Sequence, residues 1–139
     1  MHDMIKILKS KKAEGYIDIA VAVLIITFVL ILALSIWSMV TLKQDMNYMC
    51  SELLDTATVT GKVGDEVQTR YEELCSETGF RPDVDFLAIY FDSGSGKVQL
   101  GDGITCTLSC EMTLRGFGGF RLPFRISVTK SGLSRVYWK

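Results

Sequence analysis

The stretch IAVAVLIITFVLILALSIWSMV, residues 19–40, decides how the rest of the chain is organised. None of its 22 residues is charged, and Thr27, Ser35 and Ser38 are the ones with polar side-chain oxygens. A helix needs about 20 predominantly apolar residues to cross the hydrocarbon core of a bilayer. The sequence therefore predicts a transmembrane helix over residues 16–41, and the lipid bilayer is the first expected partner.

Two alternative explanations fit this run less well. A secretory signal peptide has an apolar stretch of about 7–15 residues that ends at a small-residue cleavage site. Here the run is longer, and no such site follows it. A helix buried in a soluble domain would need cover on every face, and the rest of a 139-residue chain is too small to provide it.

The basic residues on either side of the run predict its orientation. Positive charges favour the cytoplasmic side of a membrane. We therefore expect a single-pass protein of the cell membrane, with a short basic leader (residues 1–15) in the cytoplasm and an extracytoplasmic domain (residues 42–139). The only basic residue in residues 41–60 is Lys43, whereas the residues before the run include Lys6, Lys9, Lys11 and Lys12.

The apolar pattern continues beyond the membrane on one face of a helix. Neither Pro nor Gly interrupts residues 16–60, so we expect one continuous helix that is transmembrane first and amphipathic after it. Its outer apolar positions recur every three or four residues, as one face of a helix requires. These positions are Leu42, Met46, Met49, Leu53 and Ala57.

After this helix the sequence predicts a second short helix and then a sheet. Gly61 and Gly64 break the first helix, two acidic residues favour a new start at residue 65, and Gly79 ends the second helix after residue 78. From Val84 onward the apolar residues form short strands, and short turns between them imply antiparallel pairing. The predicted strands cover residues 86–91, 97–100, 104–114, 121–129 and 133–138, with a turn at residues 131–132.

The predicted fold class is therefore α+β. It consists of a long N-terminal helix, a second short helix and a 4–5-stranded antiparallel sheet. Within the outer domain, residues 42–78 are expected to be helical and residues 84–138 to form the sheet. One face of that sheet has to be covered, and the two helices are the available cover.

Four cysteines lie in the outer domain, where disulfides can form. Cys106 and Cys110 would be about 13 Å apart on one face of a strand, too far to pair with each other. If all four are oxidised, Cys50 and Cys75 each reach one of the strand pair. The alternative is four buried free thiols that act as small apolar residues.

Charge is unevenly distributed, although the net charge of −1 argues against a nucleic-acid partner. Residues 44–111 hold 13 acidic and 4 basic side chains, whereas residues 112–139 hold no acid and six basic ones. The two sets either attract each other within one domain or meet between subunits, where complementary charge orients partners.

The sequence offers little for catalysis, and we expect no enzyme and no cofactor. His2 is the only histidine and lies on the other side of the membrane from the carboxylates. No metal site is expected, because the cysteines lack the close spacing that zinc sites use. The residues 93–97, SGSGK, lack the spacing of a phosphate-binding loop.

Two resemblances bear on function. A basic leader that ends in Gly15, followed by an apolar helix that becomes amphipathic and then by a sheet, resembles type IV pilins and pseudopilins. More closely, the chain is similar to a family of small membrane proteins from Gram-positive bacteria with no assigned function, related to TadE-like pseudopilins. This second similarity covers nearly the whole chain. It is carried by the segments EGYID (14–18), Thr78-Gly79, FGGF (117–120) and VYWK (136–139).

The pilin resemblance implies a cleavage and an assembly contact. A prepilin peptidase would cut between Gly15 and Tyr16, and other pilin-like subunits or copies of this chain would be partners. Pilins usually carry Glu five residues after the cut, where this chain has Ala20; the nearest acid is Asp18. Asp18 either pairs with a neighbouring subunit's new N-terminus, since an unpaired carboxylate in lipid is costly, or lies at the headgroups.

We therefore expect a membrane-anchored pilin-like structural subunit of a Tad-like or type IV-like pilus, secretion or conjugation apparatus. The alternative is an unprocessed single-span accessory protein whose outer domain binds an extracellular or cell-wall partner.

Overall fold

The computed structural model describes residues 2–115 and 117–139, with side chains for residues 15–114 and from residue 118 onward. Two helices and five antiparallel strands confirm the α+β class. A short 3₁₀ turn, Phe117–Gly119, follows the fourth strand. The elements are α1 His2–Thr60, α2 Asp65–Thr78, β1 Asp83–Ala88, β2 Tyr90–Asp92, β3 Lys97–Val98, β4 Gly103–Arg115 and β5 Arg121–Leu133.

The helix α1 is continuous over 59 residues, a length of about 88 Å at 1.5 Å per residue. Its backbone is helical through Gly15 and into the predicted leader, whose lysine side chains lie outside the described residues. The helix contains a segment that is long and apolar enough to cross a membrane, and none of that segment is buried in the domain.

The outer half of α1 packs against the sheet along the predicted apolar face. Met46, Met49, Leu53 and Ala57 are completely buried, as is Cys50. On the sheet side, the core is formed by inward-facing residues of β4 and β5, and α2 covers the flank of α1. These partners include Val67, Leu74, Ile104, Cys106, Leu108, Ile126 and Val128.

Glycines end both helices, as the sequence predicts. Gly61 follows α1 with a φ of 67°, and its N–H bonds to the carbonyl of Ala57 at 3.0 Å. Gly79 ends α2 in the left-handed conformation, with its N–H 2.9 Å from the carbonyl of Cys75. A residue with a Cβ adopts such a φ only at a cost, which is why glycine stands at both positions.

The strands form two sheets. The larger sheet has the order β1-β4-β5, and β2 pairs with β3 in a separate ribbon. The long hairpin β4–β5 is in register from Gly103 opposite Leu133 to Arg115 opposite Arg121. Because β5 is an edge strand, it tolerates Pro123, which has no N–H to donate.

Two predictions about strands are wrong. The predicted turn at residues 131–132 lies inside β5, where Ser131 pairs with Thr105 and Gly132 with Ile104. The predicted last strand, residues 133–138, is absent, because β5 ends at Leu133 and no ladder follows it. The apolar run 86–91 also belongs to two strands, since the chain leaves the large sheet at Ile89.

The C-terminal tail is instead fixed by individual hydrogen bonds. The indole N–H of Trp138 lies 3.0 Å from the carbonyl of Gly61 and 3.1 Å from that of Val98. The side-chain amide of Gln99 donates to the backbone carbonyl of Trp138, and its oxygen accepts from the backbone N–H of Trp138. The tail therefore ties the end of α1 to β3 without adding a strand.

Candidate functional site

The exposed inner half of α1 is the most unusual surface of the described chain. From Tyr16 to Val40 nearly all of its large apolar side chains are exposed, and only Ile31 and Met39 are half-buried. Leu24 is 63% exposed, Val29 57% and Trp37 74%. A contiguous apolar surface of this size marks a site for lipid or for other proteins. The domain contributes no cover of its own to most of this segment.

The three polar side chains within residues 19–40 form hydrogen bonds with the backbone of the same helix. The hydroxyls of Thr27, Ser35 and Ser38 donate to the backbone carbonyls four residues earlier, at 2.8, 2.9 and 3.1 Å. A polar group without a partner is costly in hydrocarbon. Residues 19–40 therefore present an apolar exterior, and the hydroxyls of these three residues are all paired.

The residues predicted for cleavage and subunit pairing lie at the inner end of this segment. Gly15 is inside the helix, and a Cβ placed there would meet nothing within 4 Å. Tyr16 is 73% exposed and Asp18 is exposed too. Within the described chain the fold brings no cationic side chain within 4 Å of Asp18. The peptide bond between Gly15 and Tyr16 is part of continuous helical backbone.

Of the predicted cysteine contacts, the structure brings Cys50 on α1 to Cys106 on β4. Both are fully buried, and the Cys50 thiol lies 3.4 Å from the carbonyl oxygen of Cys106. A hydrogen bond with the Cys106 side chain lowers the pKa of Cys50 to about 7; the nearby Lys130 ammonium adds to this and burial opposes it. The same hydrogen bond and burial raise the pKa of Cys106.

The other two cysteines lie apart from this pair. Cys75 is buried on α2 beside Tyr71. Cys110 is half-buried, and its pKa is raised by burial and by the carboxylates of Asp83 and Glu111. All four thiols are free in the structure. The expectation that Cys106 and Cys110 do not pair with each other is consistent with the unbroken strand that carries both.

Several charged residues pair within the domain. Arg70 on α2 bonds to Glu52 on α1 and to Glu73, both at 2.9 Å. In the basic C-terminal part, Arg125 approaches Asp83 at 4.0 Å and Arg135 approaches Asp55 at 3.9 Å. These last pairs are exposed and long, so they contribute little to stability. Some basic side chains of the C-terminal part thus pair with acidic side chains of the same subunit.

A groove of about 860 Å³ lies between α1 and the end of β5. Ser51, Leu54 and Asp55 line one side, and Lys130 and Arg135 line the other. The Lys130 ammonium donates to the Ser51 hydroxyl across it. Sequence reasoning missed this groove, because it predicted a turn where β5 continues. Gly132 marks the close approach, since a Cβ there would lie 3.1 Å from Thr58.

No constellation in the described residues indicates catalysis. No group of three His, Cys, Asp or Glu side chains in that part of the chain could hold a metal ion. The main surface feature of the described residues is an exposed apolar helix that continues without a break into a small domain.

Comparison with known proteins identifies a family but no characterised relative. A family described as "Domain of unknown function (DUF4320)" matches residues 23–139. No curated protein and no solved structure matches the chain. The match covers all of the apolar run after residue 22 and the entire domain.

Proposed function

This chain belongs to the DUF4320 family, and we propose that it is a membrane-anchored, pilin-like structural subunit of a Tad-like or type IV-like apparatus. The observation that carries the proposal is the division of α1 into two halves. One half is apolar and almost entirely exposed, and the other half is buried along one face by the domain. A simple anchor does not require a helix that continues without a break into the domain core.

This geometry suits a subunit with two successive environments. While the subunit is in the membrane, lipid covers the bare half of α1. In an assembly, the same half packs against the equivalent helices of other pilin-like subunits. The outer domain changes little between the two environments, because no residue of α1 before Met39 is in its core or among the apolar residues packed against that core. The role is structural, and we assign no catalytic step to it.

The orientation follows from the lysines that precede the span. We infer a cytoplasmic N-terminus and an extracytoplasmic domain, since basic residues remain on the cytoplasmic side. The free thiols would then face a compartment where disulfides can form. A prepilin peptidase that acts after Gly15 would be a partner at the inner face, and Asp18 would pair with the amine of a neighbouring subunit.

The mature N-terminus tests the processed form of the proposal. The full chain is expressed with its cognate peptidase, and the terminus of the assembled protein is determined by mass spectrometry. We expect Tyr16 as the first residue. A Gly15→Leu variant is the control that retains the leader if cleavage occurs at this bond. An intact Met1 in assembled material would contradict processing.

One observation favours a second candidate, an unprocessed accessory protein that binds an extracellular or cell-wall partner. The Gly15–Tyr16 bond lies within continuous helix, and a peptidase would have to unwind that helix first. The groove between α1 and β5 is then the candidate binding surface. This candidate predicts that the protein remains in the membrane after cells are sheared, whereas a filament subunit enters the sheared fraction.

A further inference from the structure

The described side chains at the tip of the β4–β5 hairpin, residues 118–122, include large apolar ones that are exposed. Phe120 is 63% exposed and Leu122 is 49% exposed. Arg121 lies between them and is exposed as well. Gly118 and Gly119 have φ values of 72° and 83°, so they form a tight turn that most other residues would strain. The fold thus holds two apolar side chains and a cation at the end of a long projection.

This projection points back toward the membrane span. The β5 strand runs in the same direction as α1, since Val128 lies beside Cys50 and Arg135 bonds to Thr58. Moving from Val128 to Phe120 therefore moves toward the N-terminal half of α1. The eight residue steps from Phe120 to Val128 span about 26 Å as a strand, which equals the length of about 17 helix residues. Any tilt of β5 against α1 shortens the distance covered along the helix axis.

Burial along α1 independently indicates the same position for the hairpin. Between residues 15 and 41, the half-buried positions are Ile31, Ser35 and Met39. They are four residues apart and share one face, which continues into Leu42 and Met46 beneath the sheet. Half-buried Met112 and Phe124, from the lower part of the hairpin, pack against the same core cluster. Met39, near the outer end of the apolar run, packs against this cluster too, so the hairpin tip lies beside the outer part of the run.

That level is where a membrane surface would be. The uncharged residues 19–40 span about 33 Å as a helix, and a bilayer core is about 30 Å thick. Trp37, near the outer end of this run, is 74% exposed, and aromatic residues are typical of membrane interfaces. Aromatic and aliphatic side chains next to an arginine are the composition that interfacial segments use.

We propose that the hairpin tip is a second membrane contact, in which Phe120 and Leu122 insert into the lipid interface on the domain's side of the bilayer and Arg121 binds lipid phosphate. This contact fixes the domain upright against the membrane instead of leaving it free to tilt about the helix. It requires the span to lie in a bilayer, but it does not require filament assembly. Its failure and that of the proposed function are therefore distinguishable.

The test measures the depth of a tryptophan at the tip. The full chain carrying Trp37→Phe is reconstituted in phosphatidylcholine–phosphatidylglycerol vesicles, and Trp138 remains as constant background. Phe120→Trp is compared with Leu133→Trp, which lies at the other end of β5 and is equally exposed, at 62%. Leu122→Trp serves as a second tip probe should Phe120→Trp fail to fold. Brominated lipids report contact with acyl chains, and iodide reports contact with water.

We expect the tip tryptophans to emit at shorter wavelength, to be quenched by brominated lipids and to be shielded from iodide. Leu133→Trp should show the opposite pattern. Adding Arg121→Gln should weaken the lipid quenching more in vesicles that contain phosphatidylglycerol than in those that lack it. If the tip tryptophans behave like Leu133→Trp, the tip lies in water and the proposal is wrong. If they are shielded from both quenchers, another protein copy covers the tip, and the proposal is wrong in that case too.

Discussion

At the scale of single residues, Gly61 holds the junction between the long helix and the domain. A Cβ at this position would overlap Val136 and approach the indole nitrogen of Trp138. Gly79 has a similar φ, but a Cβ there would meet nothing within 4 Å. Substituting alanine at each position therefore distinguishes two costs. At Gly79 the cost is backbone strain alone, and at Gly61 it is backbone strain plus steric overlap.

Gly79→Ala should destabilise the domain by about 1–2 kcal/mol, the cost of a left-handed backbone for a residue with a Cβ. Gly61→Ala should cost more, because the C-terminal tail must also move. Chemical unfolding followed by the near-ultraviolet circular dichroism of Trp138 measures both. Equal losses for the two variants would show that the tail does not pack as described.

The Cys50–Cys106 contact predicts which disulfide forms when the chain is oxidised. Cys50 should cross-link to Cys106, since both are fully buried and the Cys50 thiol lies 3.4 Å from the Cys106 carbonyl oxygen. Because the pKa of Cys50 is lowered to about 7 and the thiolate is the reactive form, the rate should rise mainly between pH 6 and 8. Peptide mapping without reduction identifies the bond, and Cys50→Ser is the control. A bond from Cys75 to Cys106 would contradict the packing.

Tyr71 predicts a pH dependence of stability in alkali. Its hydroxyl donates to the carbonyl of Pro82 at 2.8 Å, and burial, with contributions from Cys75, raises its pKa to about 12. A raised pKa stabilises the fold below the tyrosine's ordinary value near 10, and this stabilisation is lost as the pH rises towards 12.

Thermal unfolding of the full chain in detergent between pH 8 and 11 measures this effect. Tyr71→Phe should be less stable at pH 8 by about 1 kcal/mol, the typical worth of one hydrogen bond. The difference from wild type should shrink above pH 10. A difference that stays constant to pH 11 would show that folding does not raise the pKa of Tyr71.

At the scale of elements, the buried face of α1 contributes a large part of the domain core. Leu53 is fully buried in this face, whereas Val59 on the same helix is 53% exposed. Leu53→Ala should cost about 2–5 kcal/mol, the range for a large core side chain cut to Ala. Val59→Ala should change stability by no more than about 0.5 kcal/mol. Denaturant unfolding of both variants gives the comparison, and similar values would contradict the assigned face.

The helices were predictable from the sequence, whereas the end of the sheet was not. Glycine positions and apolar spacing give the end of α1 and both ends of α2, because these signals act locally. Gly132 shows the limit of such signals. Its sequence context predicts a turn, but Gly132 lies within β5, where its small size lets the strand pack closely against Thr58 of α1. That role depends on a contact between residues distant in sequence.

The site was predictable to a similar degree. The bare segment of α1 follows from composition alone, and its exposure agrees with that expectation. The Cys50–Cys106 contact was one of several pairings left open, since spacing within a helix does not fix its rotation against a sheet. The hairpin tip was visible as the segment FGGF, but its position beside α1 follows from the register of β5.

At the scale of the whole molecule, the chain is one long continuous helix with a domain packed along its outer part. Lipid and neighbouring helices are both able to cover the bare half, and the proposed function is that they do so in turn. Polar substitution at exposed positions of α1 before Met39 should therefore impair assembly without unfolding the domain, because that part of the helix does not pack against the domain core.

The most direct test is fractionation of sheared cells of the native host. The account predicts that the protein appears in the sheared high-molecular-weight fraction, together with other pilin-like subunits. Ala33→Asn, in the bare half of α1, should remove it from that fraction while leaving the domain folded. If wild-type protein stays wholly in the membrane fraction under conditions that produce filaments, the chain is an anchor and not an assembling subunit.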